Sequence, residues 1–93
     1  MPEEVDFLNV QGTAVCLKAG QVTAVLERQG KVLRVFQIEG LEEMLKEFVR
    51  DYKRMLLFPE VKRLIVKEYP EEGKMALTEA GFMKEMLDFV LYR

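Results

Sequence analysis

One stretch, residues 41–58 (LEEMLKEFVRDYKRMLLF), constrains the fold of this chain more than any other. Its apolar residues Leu41, Met44, Leu45, Phe48, Val49, Tyr52, Met55 and Leu56 recur three and four apart, which places them in one stripe of a helix of period 3.6. The residues between them are mostly charged. Gly40 can serve as N-cap, Glu42 and Glu43 complement the positive end of the helix dipole, Lys53 and Arg54 complement the negative end, and Pro59 cannot continue the helix. Eighteen residues at about 1.5 Å each predict a helix of roughly 27 Å, which spans a small domain. An apolar stripe of that length needs a sheet to cover it.

The sheet comes from the preceding residues. Gly12, Gly20, Gly30 and Gly40 punctuate the chain at near-regular intervals, and the runs between them are rich in β-branched residues. This spacing predicts a meander with strands at residues 13–18, 21–28 and 31–38, joined by the two-residue turns Ala19-Gly20 and Gln29-Gly30. Counting outward from the turns pairs Leu17 with Val22, Val15 with Ala24, Leu26 with Leu33 and Ala24 with Val35. Val15, Leu17, Val22, Ala24, Leu26, Leu33 and Val35 then share the face that receives the helix. The opposite face carries Ala14, Cys16, Thr23, Val25, Glu27, Val32, Arg34, Phe36 and Ile38. That mixture is covered either by the N-terminal residues or C-terminal strand, or by a partner surface. Cys16, Val25, Arg34 and Phe36 form the candidate partner interface, with Phe36 supplying area and Arg34 a directed bond.

Val5, Phe7, Leu8 and Val10 can dock a short strand or turn on the core, with no clear period. Residues 63–69 (RLIVKEY) read as a strand, and the helical crossover before it allows a parallel position inside the sheet. Residues 74–80 read as a two-turn helix stopped by Gly81 at C′. Residues 82–93 fit either period, and the β-rich end favours strand. The expected fold is α+β, in the order β-β-β-α-β-α-β, with a mainly antiparallel sheet and the long helix on one face.

Composition limits the chemistry. The 93 residues make one domain with one core, and a net charge of −2 gives no general attraction to nucleic acid or anionic lipid. The chain holds no His, Ser or Trp, so nucleophile arrangements that need His and zinc sites built on His are excluded. No phosphate-cradling glycine motif occurs, which argues against an autonomous enzyme, a cofactor site or a small-molecule substrate. A lone Cys16 and the absence of a signal-like or membrane-spanning apolar run predict a cytoplasmic protein.

Two charged sets remain. Glu43, Glu47 and Asp51 stack on the outer face of the long helix, where solvation explains them better than acid-base work. Lys53, Arg54, Lys62, Arg63 and Lys67 form a local basic edge, explained by helix-dipole compensation and solubility or by phosphate contact.

The segment from Leu26 to Lys31, an amphipathic helix, the R-L-x-V-x-K strand from Arg63, and Glu79-Ala80-Gly81-Phe82 before a terminal strand together form a pattern. It resembles the C-terminal end of Lhr-type (large helicase-related) DEAD/DEAH-box ATP-dependent helicases. The resemblance rests on Glu27, Arg28, Gly30 and Lys31 and on Ala80, Gly81 and Phe82, and the ATP-hydrolysing core of that family has no counterpart here. It implies a non-catalytic accessory module that positions a helicase core or nucleic acid, with the core of a parent chain as partner. The alternative is a stand-alone interaction domain that associates with a second copy through its mixed sheet face.

Overall fold

The computed structural model describes residues 5–92. The fold is α+β, with four strands, a helix, a strand, a second helix and two strands: β1 (Val5–Val10), β2 (Thr13–Lys18), β3 (Gln21–Glu27), β4 (Val32–Val35), α1 (Leu41–Lys53), β5 (Arg63–Val66), α2 (Gly73–Ala80), β6 (Met83–Glu85) and β7 (Asp88–Tyr92). Strands β1 to β4 form an antiparallel meander in chain order, and β5, β7 and β6 form a second sheet. The fold has two strands more than the sequence predicts. The N-terminal segment forms β1, and the C-terminal segment is a hairpin rather than one strand.

The turn at Ala19-Gly20 forms as expected, with φ of 53° and 82°, the doubly left-handed shape that matches strand twist. Gln11-Gly12 repeats it at 50° and 80°. The third turn is wider, with Arg28, Gln29 and Gly30 all at positive φ, yet Leu26 still faces Leu33 and Ala24 faces Val35. Strand β2 departs from the expected register. The pairing shifts between Cys16 and Leu17, so that Cys16 faces Ala24, Leu17 faces Val22, and Thr23 is the extra residue of a bulge. Val15 consequently faces Val25, and Ala14 and Cys16 turn to the helix in place of Val15 and Leu17. The Thr23 hydroxyl explains why this site tolerates a buried polar residue. It donates to the Cys16 carbonyl at 3.2 Å and lies 2.9 Å from Met44 Sδ on α1.

Helix α1 buries Leu41, Met44, Leu45, Phe48, Val49 and Tyr52, the expected stripe, but it ends at Lys53, five residues before the expected limit. Leu56 N–H donates to the Asp51 carbonyl and Met55 N–H to the Tyr52 carbonyl, which closes the helix in the Schellman pattern with Met55 left-handed at φ 67°. Met55 and Leu56 leave the stripe for solvent, while Leu57 and Phe58 enter the core. Burying two such side chains, at about 1.5–3 kcal/mol each, outweighs the roughly 1–2 kcal/mol of a left-handed Met. The Tyr52 hydroxyl then pins the connection by donating to the Val61 carbonyl at 2.6 Å.

Strand β5 does not lie parallel inside the first sheet, because its mate is the C-terminal strand. Leu64 faces Leu91 and Val66 faces Phe89 in an antiparallel pair, and all four are buried. One parallel bridge, Val32 with Glu68, joins the two sheets, with Leu33 N–H donating to the Glu68 carbonyl and Lys67 N–H to the Lys31 carbonyl, both at 2.8 Å. The α2 helix ends at Gly81 as expected, and Phe82 N–H reaches back to the Leu77 carbonyl. One buried cluster unites the inner face of the meander, α1, α2 and the inner face of the second sheet.

Candidate docking surface

The outer face of the meander is built from cross-strand rows. Leu8, Val15, Val25 and Arg34 form one row across all four strands, and Asp6, Leu17 and Val22 form a second. Phe36 follows Arg34 on the same side, held by its N–H donating to the Thr23 carbonyl at 2.8 Å. Phe36 is 64% exposed, and Val10, Leu8 and Val22 are 58%, 52% and 45% exposed. Four strands about 4.8 Å apart and up to about 20 Å long give the whole outer face a footprint of roughly 400 Å², over which the apolar residues are interrupted by Asp6 and by the Arg34–Glu27 pair. Arg34 does not point from this face as a lone cation, because its Nε donates to Glu27 Oε2 at 2.6 Å and the pair neutralises itself.

Of the four expected interface residues, the structure keeps Val25, Arg34 and Phe36 together and removes Cys16. The bulge at Thr23 turns Cys16 inward, where it is fully buried between Phe7 and Ala24. Burial pushes its thiol pKa from 9.0 up to about 12. Between those values the unfolded chain releases the proton and the folded chain retains it, so this contribution to stability is complete below pH 9 and is lost as pH rises toward 12. Cys16 is therefore expected to resist a thiol reagent at pH 8 until the chain unfolds, and alkylation that outpaces unfolding would contradict its burial. Leu8 and Val10, expected to dock on the core with Val5 and Phe7, are exposed instead, because alternation along β1 turns them to the outer face. Their signal was Gln11-Gly12, a turn of the same kind and spacing as Ala19-Gly20.

The two explanations offered for a covered outer face place its cover elsewhere. The described N-terminal residues extend the meander at its edge as β1, and the C-terminal strand joins the second sheet. The basic residues Lys53, Arg54, Lys62, Arg63 and Lys67 are all exposed, but they are spread over the end of α1, its connection, β5 and the segment beyond it. Arg63 lines an open depression of about 240 Å³ with Ile65, Glu85, Met86, Val90 and Tyr92. There the Tyr92 hydroxyl donates to Glu85 at 2.7 Å, and that bond raises its pKa. On α1, Glu47 pairs with Arg50, which agrees with a solvated face for Glu43, Glu47 and Asp51. Among the described residues no cluster of three or more His, Cys, Asp or Glu could hold a metal ion, and no helix is long and apolar enough to cross a membrane.

The residues that carry the helicase resemblance occupy structural positions. Gly30 is buried against Leu64, the Lys31 carbonyl accepts two of the three backbone hydrogen bonds that join the two sheets, and Gly81 with Phe82 closes α2. The fold is α+β, and no described element covers the outer face of its four-stranded sheet. No protein-family model, curated protein or solved structure matches the chain.

Proposed function

We propose that the chain is a non-catalytic docking module, and that the outer face of β1 to β4 seats against an apolar surface of another protein. The observation that supports this reading is the contiguity of Leu8, Val15, Val25 and Phe36 on a face that no described element of the chain covers. The Arg34–Glu27 pair enters such a contact without an uncompensated charge, and its desolvation is a cost that the apolar residues around it must offset. On the resemblance to Lhr-type helicases, the partner is the helicase core of a parent chain, which the module positions. The exposed Lys53, Arg54, Lys62, Arg63 and Lys67 would then meet nucleic-acid phosphate.

The gene upstream of residue 1 tests the helicase assignment, and titration calorimetry against the core encoded there tests the docking. Phe36→Ala and Leu8→Ala are each expected to weaken binding by about tenfold or more, the effect of losing a central apolar anchor. Equal affinity in both variants would contradict the reading, as would face-to-face self-association with no core encoded.

A further inference from the structure

The two edges of the meander are treated differently by the fold. The β4 edge is occupied, since Lys31 and Leu33 exchange backbone hydrogen bonds with Lys67 and Glu68. The β1 edge has no neighbour among the described residues. Sheet edges are ordinarily blunted by brevity, by Lys or Pro, by a bulge or by a covering element. Among the described residues, six-residue β1 (VDFLNV) has none of these, and its only charge is Asp6 on the outer face. By contrast β6, an outer strand of the second sheet, has three residues.

The turn decides which backbone groups the β1 edge presents. Gln11-Gly12 is a two-residue turn with both residues left-handed, so the flanking Val10 and Thr13 form a hydrogen-bonded pair. Hydrogen-bonded and non-hydrogen-bonded pairs alternate along an antiparallel ladder. Leu8 and Asp6 are therefore bonded to Val15 and Leu17, and the N–H and C=O groups of Val5, Phe7 and Asn9 face outward. The Ala19-Gly20 turn gives the same answer independently, because it assigns Lys18, Cys16 and Ala14 to β3 and leaves Thr13, Val15 and Leu17 for β1.

We infer that this edge pairs with β1 of a second copy, antiparallel about a two-fold axis at Phe7, joining two meanders into one sheet. In that register Phe7 faces Phe7 of the second copy, and Val5 faces Asn9 on either side. All three outward residues are used, and every outward N–H meets a C=O. Residues opposite one another also fall on matching faces, as a two-fold axis through the sheet requires. Asp6 lies opposite Leu8 of the second copy, so no like charges oppose each other. A heterologous extended peptide would satisfy the same backbone groups, but the self-complementary register favours the second copy. Both outer faces lie on the same side of the joined sheet, which doubles the footprint of that face to roughly 800 Å².

Asn9→Pro tests this directly, since it deletes an outward N–H and leaves the β1–β2 bonds in place. Sedimentation equilibrium is expected to give twice the 10.9 kDa chain mass for wild type and for Phe36→Ala, and the single mass for Asn9→Pro with an unchanged circular dichroism spectrum. A monomeric wild type overturns the inference, and so does a dimer that survives Asn9→Pro but is lost in Phe36→Ala. If Asn9→Pro unfolds the chain, hydrogen exchange on wild type decides. The Phe7 and Asn9 amides are expected to gain protection with concentration, and free exchange of both in a dimer overturns the pairing. Failure of the docking reading shows in the calorimetry with Phe36→Ala, which this edge does not influence.

Discussion

Phe48→Ala is expected to cost about 3–5 kcal/mol of unfolding free energy, the range for removing a buried aromatic ring from a core. Phe48 is completely buried in the middle of the α1 stripe, and its ring meets Phe7 and Phe58 edge-on at 5.8 Å and 6.2 Å between centroids. It thereby ties the β1 end of the meander and the non-helical segment after α1 to a single helix position. Truncation leaves a void bordered by all three, in an interior packed closely enough that relaxation fills it only in part. For a small domain with roughly 5–15 kcal/mol in total, chemical denaturation should show a large fall in midpoint. A loss below about 1 kcal/mol would mean that α1 does not sit against β1 as described.

Gly30→Ala should be nearly as damaging, for a different reason. Gly30 has φ +92°, where an L side chain is strained, and a Cβ added there would lie 2.7 Å from Leu64 Cδ2. Leu64 is fully buried in β5 and cannot swing away into solvent. Backbone strain of about 1–2 kcal/mol and overpacking of about 1–3 kcal/mol act together. Gly20→Ala supplies the control, since Gly20 has a similar φ of +82° but nothing within 4 Å of the added carbon. The difference between the two variants isolates the clash with Leu64. Equal losses would show that the third turn does not pack on the second sheet.

These positions also mark where the chain was readable. The α1 stripe, the Ala19-Gly20 turn, the Leu26–Leu33 pairing and the Gly81 stop are local, set by periodicity or by turn residues a few positions apart. The bulge at Thr23 was not legible, because its stability comes from a hydroxyl reaching a carbonyl seven residues away and a sulfur on another element. It moved Cys16 from the expected interface into the core while leaving Val25, Arg34 and Phe36 in place, because the wider turn over residues 28–31 keeps the expected β3–β4 register. The early end of α1 was hidden because Met55 is neither Gly nor Pro, and the visible breaker, Pro59, lies four residues on. The partner of β5 depended on a pairing with residues 89–92, more than twenty positions distant, which no local pattern announces.

On the proposed function, the outer face of the meander is a contact surface and not part of the interior. Denaturing Phe36→Ala and Leu33→Ala side by side in the isolated chain tests it most directly, because the two residues sit three apart on opposite faces of the same segment. Leu33 is 2% exposed and Phe36 is 64% exposed. A loss of about 2–5 kcal/mol is expected for Leu33→Ala, and a change within about 0.5 kcal/mol for Phe36→Ala. Comparable losses in the two variants would place Phe36 in the core and contradict the claim.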